Sequence, residues 1–349
     1  MRISWLPSCM QISPYRDSSA PVPSHFHPIG PGLYSPRKDI TLHQDSPEML
    51  THGVPYRRLV WKVSVMRFIF TAFLCLFAWM AVSGPASAKV YRDVVYNHMP
   101  AVSDGNFIMD IYAPDEAEDT PIIIMVHGGA WTFGNKQNAI GPKQADFFTD
   151  EGFIFVSINY RLAPDHPFPA PVQDLASAIS YLYRNADTYG GDPDSIFLMG
   201  HSSGAHSVTM VSIDPQYLRA EGLNLGVIKG TVALDGASYN LVRTGKKRGE
   251  LPRFYRPAFG GKESVWRAAS PTLHVMDGRR IPPMRLFYVD RPVSPSRAKE
   301  LAETLRDHGY DAKAVLAKKR SHKSLNKKLG TDGDKFAPMI VDFFRSQMK

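Results

Sequence analysis

Two glycine-rich stretches carry residue types that could do acyl chemistry. In Gly200-His201-Ser202-Ser203-Gly204 a serine stands between two glycines, directly after the apolar run Ser195 to Met199 and before the small-residue, helix-competent segment Ala205 to Ser212. A strand, sharp turn and helix of this kind strain the serine backbone and lift its hydroxyl clear of the sheet, which suits a nucleophile. The pattern alone arises by chance about once in eight chains of this length, so it needs companions. One is His127-Gly128-Gly129-Ala130-Trp131, which follows the apolar run Pro121 to Val126. A tight loop poor in side chains can aim backbone N–H groups at a developing oxyanion with little reorganisation. The amides of Gly128, Gly129, Ala130 and Ser203 are the expected oxyanion hole.

A serine nucleophile needs a base and a carboxylate behind it. Among the histidines after residue 89, His322 follows the last expected strand, where a side chain can return over the carboxyl edge of a sheet. His127, His201 and His206 belong to the two glycine motifs, and His274 and His308 lack a strand end. For the acid, Asp290 directly follows the run Met284 to Val289, with Asp277 and Asp311 as rivals on either side of that strand. The expected catalytic set is therefore Ser202, Asp290 and His322, in that chain order.

The elements that must position these residues alternate along the chain. Val90 to Tyr96 and Asn106 to Tyr112 alternate as half-buried strands, whereas Pro121 to Val126 and Phe153 to Ile158 are continuous apolar runs, as in strands covered on both faces. Further strands are expected over Ile196 to Met199, Val227 to Leu234, Met284 to Val289 and Ala312 to Ala317. Helices are expected over Lys143 to Asp150, Val172 to Asn185, Pro295 to His308 and Lys335 to Ser346. This is an α/β pattern, a mostly parallel central sheet with helices on both faces. Tyr239 to Ala268 breaks the alternation, is basic and carries Phe254, Tyr255, Phe259 and Trp266, and is expected to form a small cap or lid.

Composition divides the chain of 349 residues. Residues 1–65 are rich in Pro, Ser and His without helical or strand periodicity, and read as a disordered or mis-annotated extension. Residues 66–88 read as a signal peptide: Met66-Arg67, an uncharged apolar run, then Ala86-Ser87-Ala88 before Lys89. Residues 89–349 form the expected catalytic domain, secreted or periplasmic, with an uncleaved membrane anchor as the alternative. Both cysteines, Cys9 and Cys75, lie before the cleavage point, so neither a disulfide framework nor a cysteine metal site is expected in the mature chain. The formal charge of +8 falls to +4 after residue 88, too mild to indicate a nucleic-acid partner. Lys246-Lys247-Arg248 and Lys318-Lys319-Arg320 read as solvated loops, with attraction of an anionic substrate as the lesser reading for the second, which borders His322.

From about residue 89 the chain resembles the α/β-hydrolase carboxylesterases related to hormone-sensitive lipase, particularly the feruloyl-esterase-like and kynurenine-formamidase-like branch. The resemblance rests on His127 to Trp131, on Asn159 to Pro164 with Phe168-Pro169-Ala170, on Gly190 to Pro193, on Gly200 to His206 and on His322 to Asn326. It implies Ser202 as nucleophile, His322 as base, Asp290 as acid and the amides of Gly129, Ala130 and Ser203 as oxyanion donors. Val289 to Ser294 lacks the glycine that commonly precedes the acid's loop in that superfamily. The implied activity is hydrolysis of a small-molecule carboxylic ester through an acyl-enzyme, with no metal or organic cofactor. An arylformamidase or other amidase is the alternative, and a non-catalytic binding protein on the same scaffold the remote one.

Overall fold

The computed structural model describes residues 88–348 apart from 101, 138, 139 and 248; the extension and signal-peptide readings lie outside these residues. Eight strands form one sheet in the order β1-β2-β4-β3-β5-β6-β7-β8. They are β1 (Lys89–Val95), β2 (Ile108–Ala113), β3 (Thr120–Val126), β4 (Ile154–Ile158), β5 (Gly191–His201), β6 (Ile228–Leu234), β7 (Met284–Tyr288) and β8 (Ala312–Leu316). β1 and β2 pair antiparallel, β2 joins β4 antiparallel, and every other pairing is parallel.

The continuous apolar runs become the sheet centre because both faces are covered. In β3, Ile122, Ile124 and Val126 pack to one side with Leu175 and Ile179 of α2 (Ala170–Asn185), after α1 (Gln144–Asp150). Ile123 and Met125 point the other way, into a cluster with Phe148 of α1 and with Ile340 and Phe344 near the C-terminus. A strand's period of two sends alternate side chains to opposite faces, so a strand with helices on both sides must be apolar at every position.

The remaining helices are α3 (Ser203–Ile213), α4 (Gln216–Ala220), α5 (Leu241–Lys246), α6 (Arg256–Phe259), α7 (Glu263–Ala268), α8 (Ser294–Asp307), α9 (His322–Lys327) and α10 (Phe336–Arg345). The expected cap is three short helices, α5 to α7, inserted between β6 and β7. It has a core of its own, in which Leu241, Leu251, Tyr255, Phe259 and Trp266 pack with Trp131. Trp131 is the link from cap to glycine loop, its ring edge-on to Tyr255 at 5.4 Å and Phe259 at 4.7 Å. Arg161, also in the resembling stretch, is buried with Asp174 of α2, its Nη2 2.6 Å from Oδ1. That pair is structural, tying the segment after β4 to α2.

Register aligns the ends of the central strands. Val126 pairs with Gly200, Gly200 with Ala233, and Leu234 with Phe287. The residues just beyond these positions, in β3, β5, β6 and β7, therefore emerge along one edge of the sheet, where neighbouring strands are about 4.8 Å apart.

Candidate active site

Ser202 sits between β5 and α3 with φ 56° and ψ −111°, a left-handed conformation that L-residues rarely hold. The glycines around it are required by contact. A Cβ on Gly200 would fall 2.4 Å from the Gly204 oxygen, and one on Gly204 would fall 2.1 Å from the Val126 oxygen. One on Gly128 would come within 3.0 Å of the Ser202 Cβ, so the loop after β3 lies directly against the serine. The turn is pinned from β6: the Ser202 amide donates to the Leu234 carbonyl at 3.0 Å, and the Ser202 carbonyl accepts from the Ala237 amide at 3.0 Å.

His322 is brought to this turn as the first residue of α9. Ser321 and Ser324 close a reciprocal capping box around it, the Ser321 hydroxyl accepting from the Ser324 amide at 3.2 Å and the Ser324 hydroxyl from the Ser321 amide at 2.8 Å. Its Nε2 lies 3.1 Å from the Ser202 Oγ. His201 holds the same segment from below, its Nε2–H donating to the His322 carbonyl at 2.9 Å.

The carboxylate behind His322 is that of Asp235, and this corrects the expectation of Asp290. Asp235 follows β6, is buried, and its Oδ2 accepts from the His322 Nδ1–H at 2.6 Å. Asp290 is exposed at the end of β7. Asp235, at the end of the strand next to β5, turns in toward His322, whereas Asp290, at the end of β7, turns out to solvent. The short segment between β7 and α8 sends two other side chains, those of Arg291 and Ser294, to this carboxylate. The Arg291 Nε–H donates to Asp235 Oδ2 at 2.7 Å, and the Ser294 hydroxyl donates to Oδ1. β7 thus supplies donors to the carboxylate in place of the carboxylate itself. Burial opposes ionisation of Asp235, but the hydrogen bonds from His322, Ser294 and Arg291, with the Arg291 charge, outweigh it and hold the carboxyl down to about 2.

The residues expected as oxyanion donors gather in front of Ser202. Gly128, Gly129 and Ala130 line a cavity of about 430 Å³ with Ser202, His322 and Phe254. Gly129 has φ +138° and Ala130 φ 51°, so the loop reverses at once after β3, and the Gly129 carbonyl is taken by the amides of Thr132 and Phe133 at 3.0 and 3.1 Å. Ser203 opens α3, where unpaired helix N–H groups and the positive end of the helix dipole favour negative charge. His127 braces this loop, its Nδ1–H donating to the Gly128 carbonyl at 2.8 Å and its ring stacked on Tyr160 at 4.3 Å. Among the described residues no group of three or more His, Cys, Asp or Glu side chains could hold a metal, and no helix is long and apolar enough to cross a membrane.

Three buried imidazoles around the site are held neutral. Burial pulls His127 and His206 down to about 4, and burial with the neighbouring His322 charge pulls His201 down to about 3. In the unfolded chain each takes a proton near the ordinary histidine value of about 6.5. The native state therefore binds fewer protons below that pH, and the stability present above about 6.5 is lost as pH falls toward about 4. The slope reaches about 4 kcal/mol per pH unit where all three protons are taken up on unfolding. Calorimetric Tm should drop steeply between pH 6.5 and 4.5; a flat profile there would contradict the neutral, buried state of these rings.

Known proteins are similar to this chain. The BD-FAE family model matches residues 109–226, from β2 through the serine turn and α3. A probable isoprenylcysteine alpha-carbonyl methylesterase of Arabidopsis thaliana, ICMEL1, is 31% identical over 256 residues, 68% of this chain and 52% of its own. Esterase LipQ of Mycobacterium tuberculosis is 30% identical over 220 residues, 58% of this chain and 50% of its own. The chain thus spans about half the length of the curated relatives it matches. In fold, an esterase of Pyrobaculum calidifontis aligns with TM-score 0.59 at 22% identity, over 84% of this chain and 98% of that one. Residues 109–226 thus match the BD-FAE family model, the chain is similar in sequence to these esterases, and its sheet is that of the α/β-hydrolase fold.

Proposed function

We propose that the protein hydrolyses carboxylic esters through an acyl-enzyme, with Ser202 as nucleophile, His322 as base and Asp235 as the acid. The observation that carries this reading is the unbroken chain from the Ser202 Oγ through His322 to the buried Asp235, at 3.1 and 2.6 Å. Asp235 fixes the proton on the His322 Nδ1, which leaves Nε2 free to accept the Ser202 proton. The serine oxygen then bonds to the ester carbonyl carbon, and the oxyanion is received by the amides of Ala130, Gly129 and Ser203. His322 returns its proton to the departing alcohol, and water repeats the sequence to release the acid. The fully buried Asp235 stabilises the imidazolium between the two transfers.

The arrangement is tested by labelling. A fluorophosphonate probe should modify the protein once, at Ser202, and p-nitrophenyl acyl esters should be turned over while N-formylkynurenine is not. Labelling elsewhere, or faster turnover of the formamide than of any ester, would set this reading aside.

A further inference from the structure

A second cavity, of about 390 Å³, opens beside the first and shares Phe254 as a wall. Its cations are Arg243, Lys247, Arg291 and Arg297, and its carboxylate is Glu300. Glu300 is already engaged by Arg243 at 2.8 Å and by the Asn240 amide at 3.0 Å. Arg291 is committed to Asp235. Lys247 and Arg297 pair with no carboxylate among the described residues, so the cavity holds positive charge that no protein group answers. The first turn of α8 adds to it, since Val293, Ser296 and Arg297 at the amino end of that helix also line the cavity. Arg291 joins this charge to the reacting centre, its Nη2 lying 3.4 Å from the His322 Nδ1. A cleft lined by one sign of charge concentrates ligands of the other sign.

We propose that this cavity is a subsite for a carboxylate, or an anion of similar size, carried by the ester whose carbonyl sits at Ser202. The enzyme then favours acidic esters over neutral ones of the same shape. The inference rests on the esterase reading and names the substrate class for it. Phe254, more than half exposed at the shared wall, offers an apolar surface to the part of the substrate between ester and charge.

The test compares kcat/KM for two matched pairs: monophenyl glutarate against phenyl valerate, with the charge on the acyl side, and 4-carboxyphenyl acetate against 4-carbamoylphenyl acetate, with it on the alcohol side. At least one acidic ester should be preferred about tenfold, the scale of a charge-assisted contact. That preference should shrink in about 0.5 M NaCl, where screening is strong. It should also fall in the double variant Lys247→Gln, Arg297→Gln, with the acidic ester losing about tenfold more than its neutral partner. Turnover of the neutral esters with no preference for either acidic one, or a preference that survives the double variant, overturns the subsite alone. No turnover of any of the four overturns the esterase reading and the subsite with it.

Discussion

Replacing Asp235 with Asn should lower kcat/KM for small activated esters by about 10³- to 10⁴-fold, while Asp290→Asn leaves it within about twofold. The size of the first effect follows from what surrounds the carboxylate. Its two oxygens accept from the His322 Nδ1–H, the Arg291 Nε–H and the Ser294 hydroxyl, so every neighbour is a donor. An amide there turns one acceptor into a donor. Either its NH₂ faces Ser294, or it faces Arg291 and His322 together and forces the imidazole proton onto Nε2, where it meets the Ser202 hydroxyl instead of accepting from it. The imidazolium of the transition state also loses its buried counter-charge. Because Asp235 is held near 2, it stays ionised at every pH where an esterase is assayed and supplies its charge throughout. The exposed Asp290 has no part in this cluster. Large loss in Asp290→Asn with activity kept in Asp235→Asn would reverse the assignment, and circular dichroism on both variants separates a chemical defect from misfolding.

The eight strands and the larger helices were legible because burial on two faces writes a continuous apolar run and burial on one face writes a period. The apolar run Ile196 to Met199 marks only part of β5, which begins at Gly191, since Asp192, Pro193 and Asp194 carry no apolar signal. Ser202 and the loop after β3 were legible because close approach demands glycine, and a missing Cβ shows in the sequence. The acid was not, because two strand ends offer a carboxylate and chain order admits both. The direction of each side chain decides between them, Asp235 buried against His322 and Asp290 exposed, and that is set by the packed loops. One local signal did favour Asp235: it is followed by Gly236, where a Cβ would fall 2.0 Å from the Tyr239 hydroxyl, whereas Val289 to Ser294 has no glycine. The second cavity could not be read at all, since Lys247 and Arg297 come together only through the packing of the cap against α8.

Ser202→Ala should reduce kcat by about 10⁶-fold and leave Tm nearly unchanged, whereas Ser202→Gly should be equally inactive yet more stable than the parent. The three residues separate chemistry from strain. Alanine removes the Oγ that lies 3.1 Å from His322, so no acyl-enzyme forms, but it keeps a Cβ and must still hold φ 56°. Backbone strain of this kind costs about 1–3 kcal/mol, and alanine relieves none of it. Glycine adopts the same φ without a steric penalty, at an entropic cost of about 0.5–1 kcal/mol, so the net gain is about 1 kcal/mol. The turn is otherwise unchanged, because its hydrogen bonds to Leu234 and Ala237 come from the backbone of residue 202. Urea denaturation of the two variants reads the strain, and single-turnover assays read the chemistry. Ser202→Gly found less stable than Ser202→Ala would show that the turn is held by contacts to the side chain, and retained turnover in either would remove Ser202 from the mechanism.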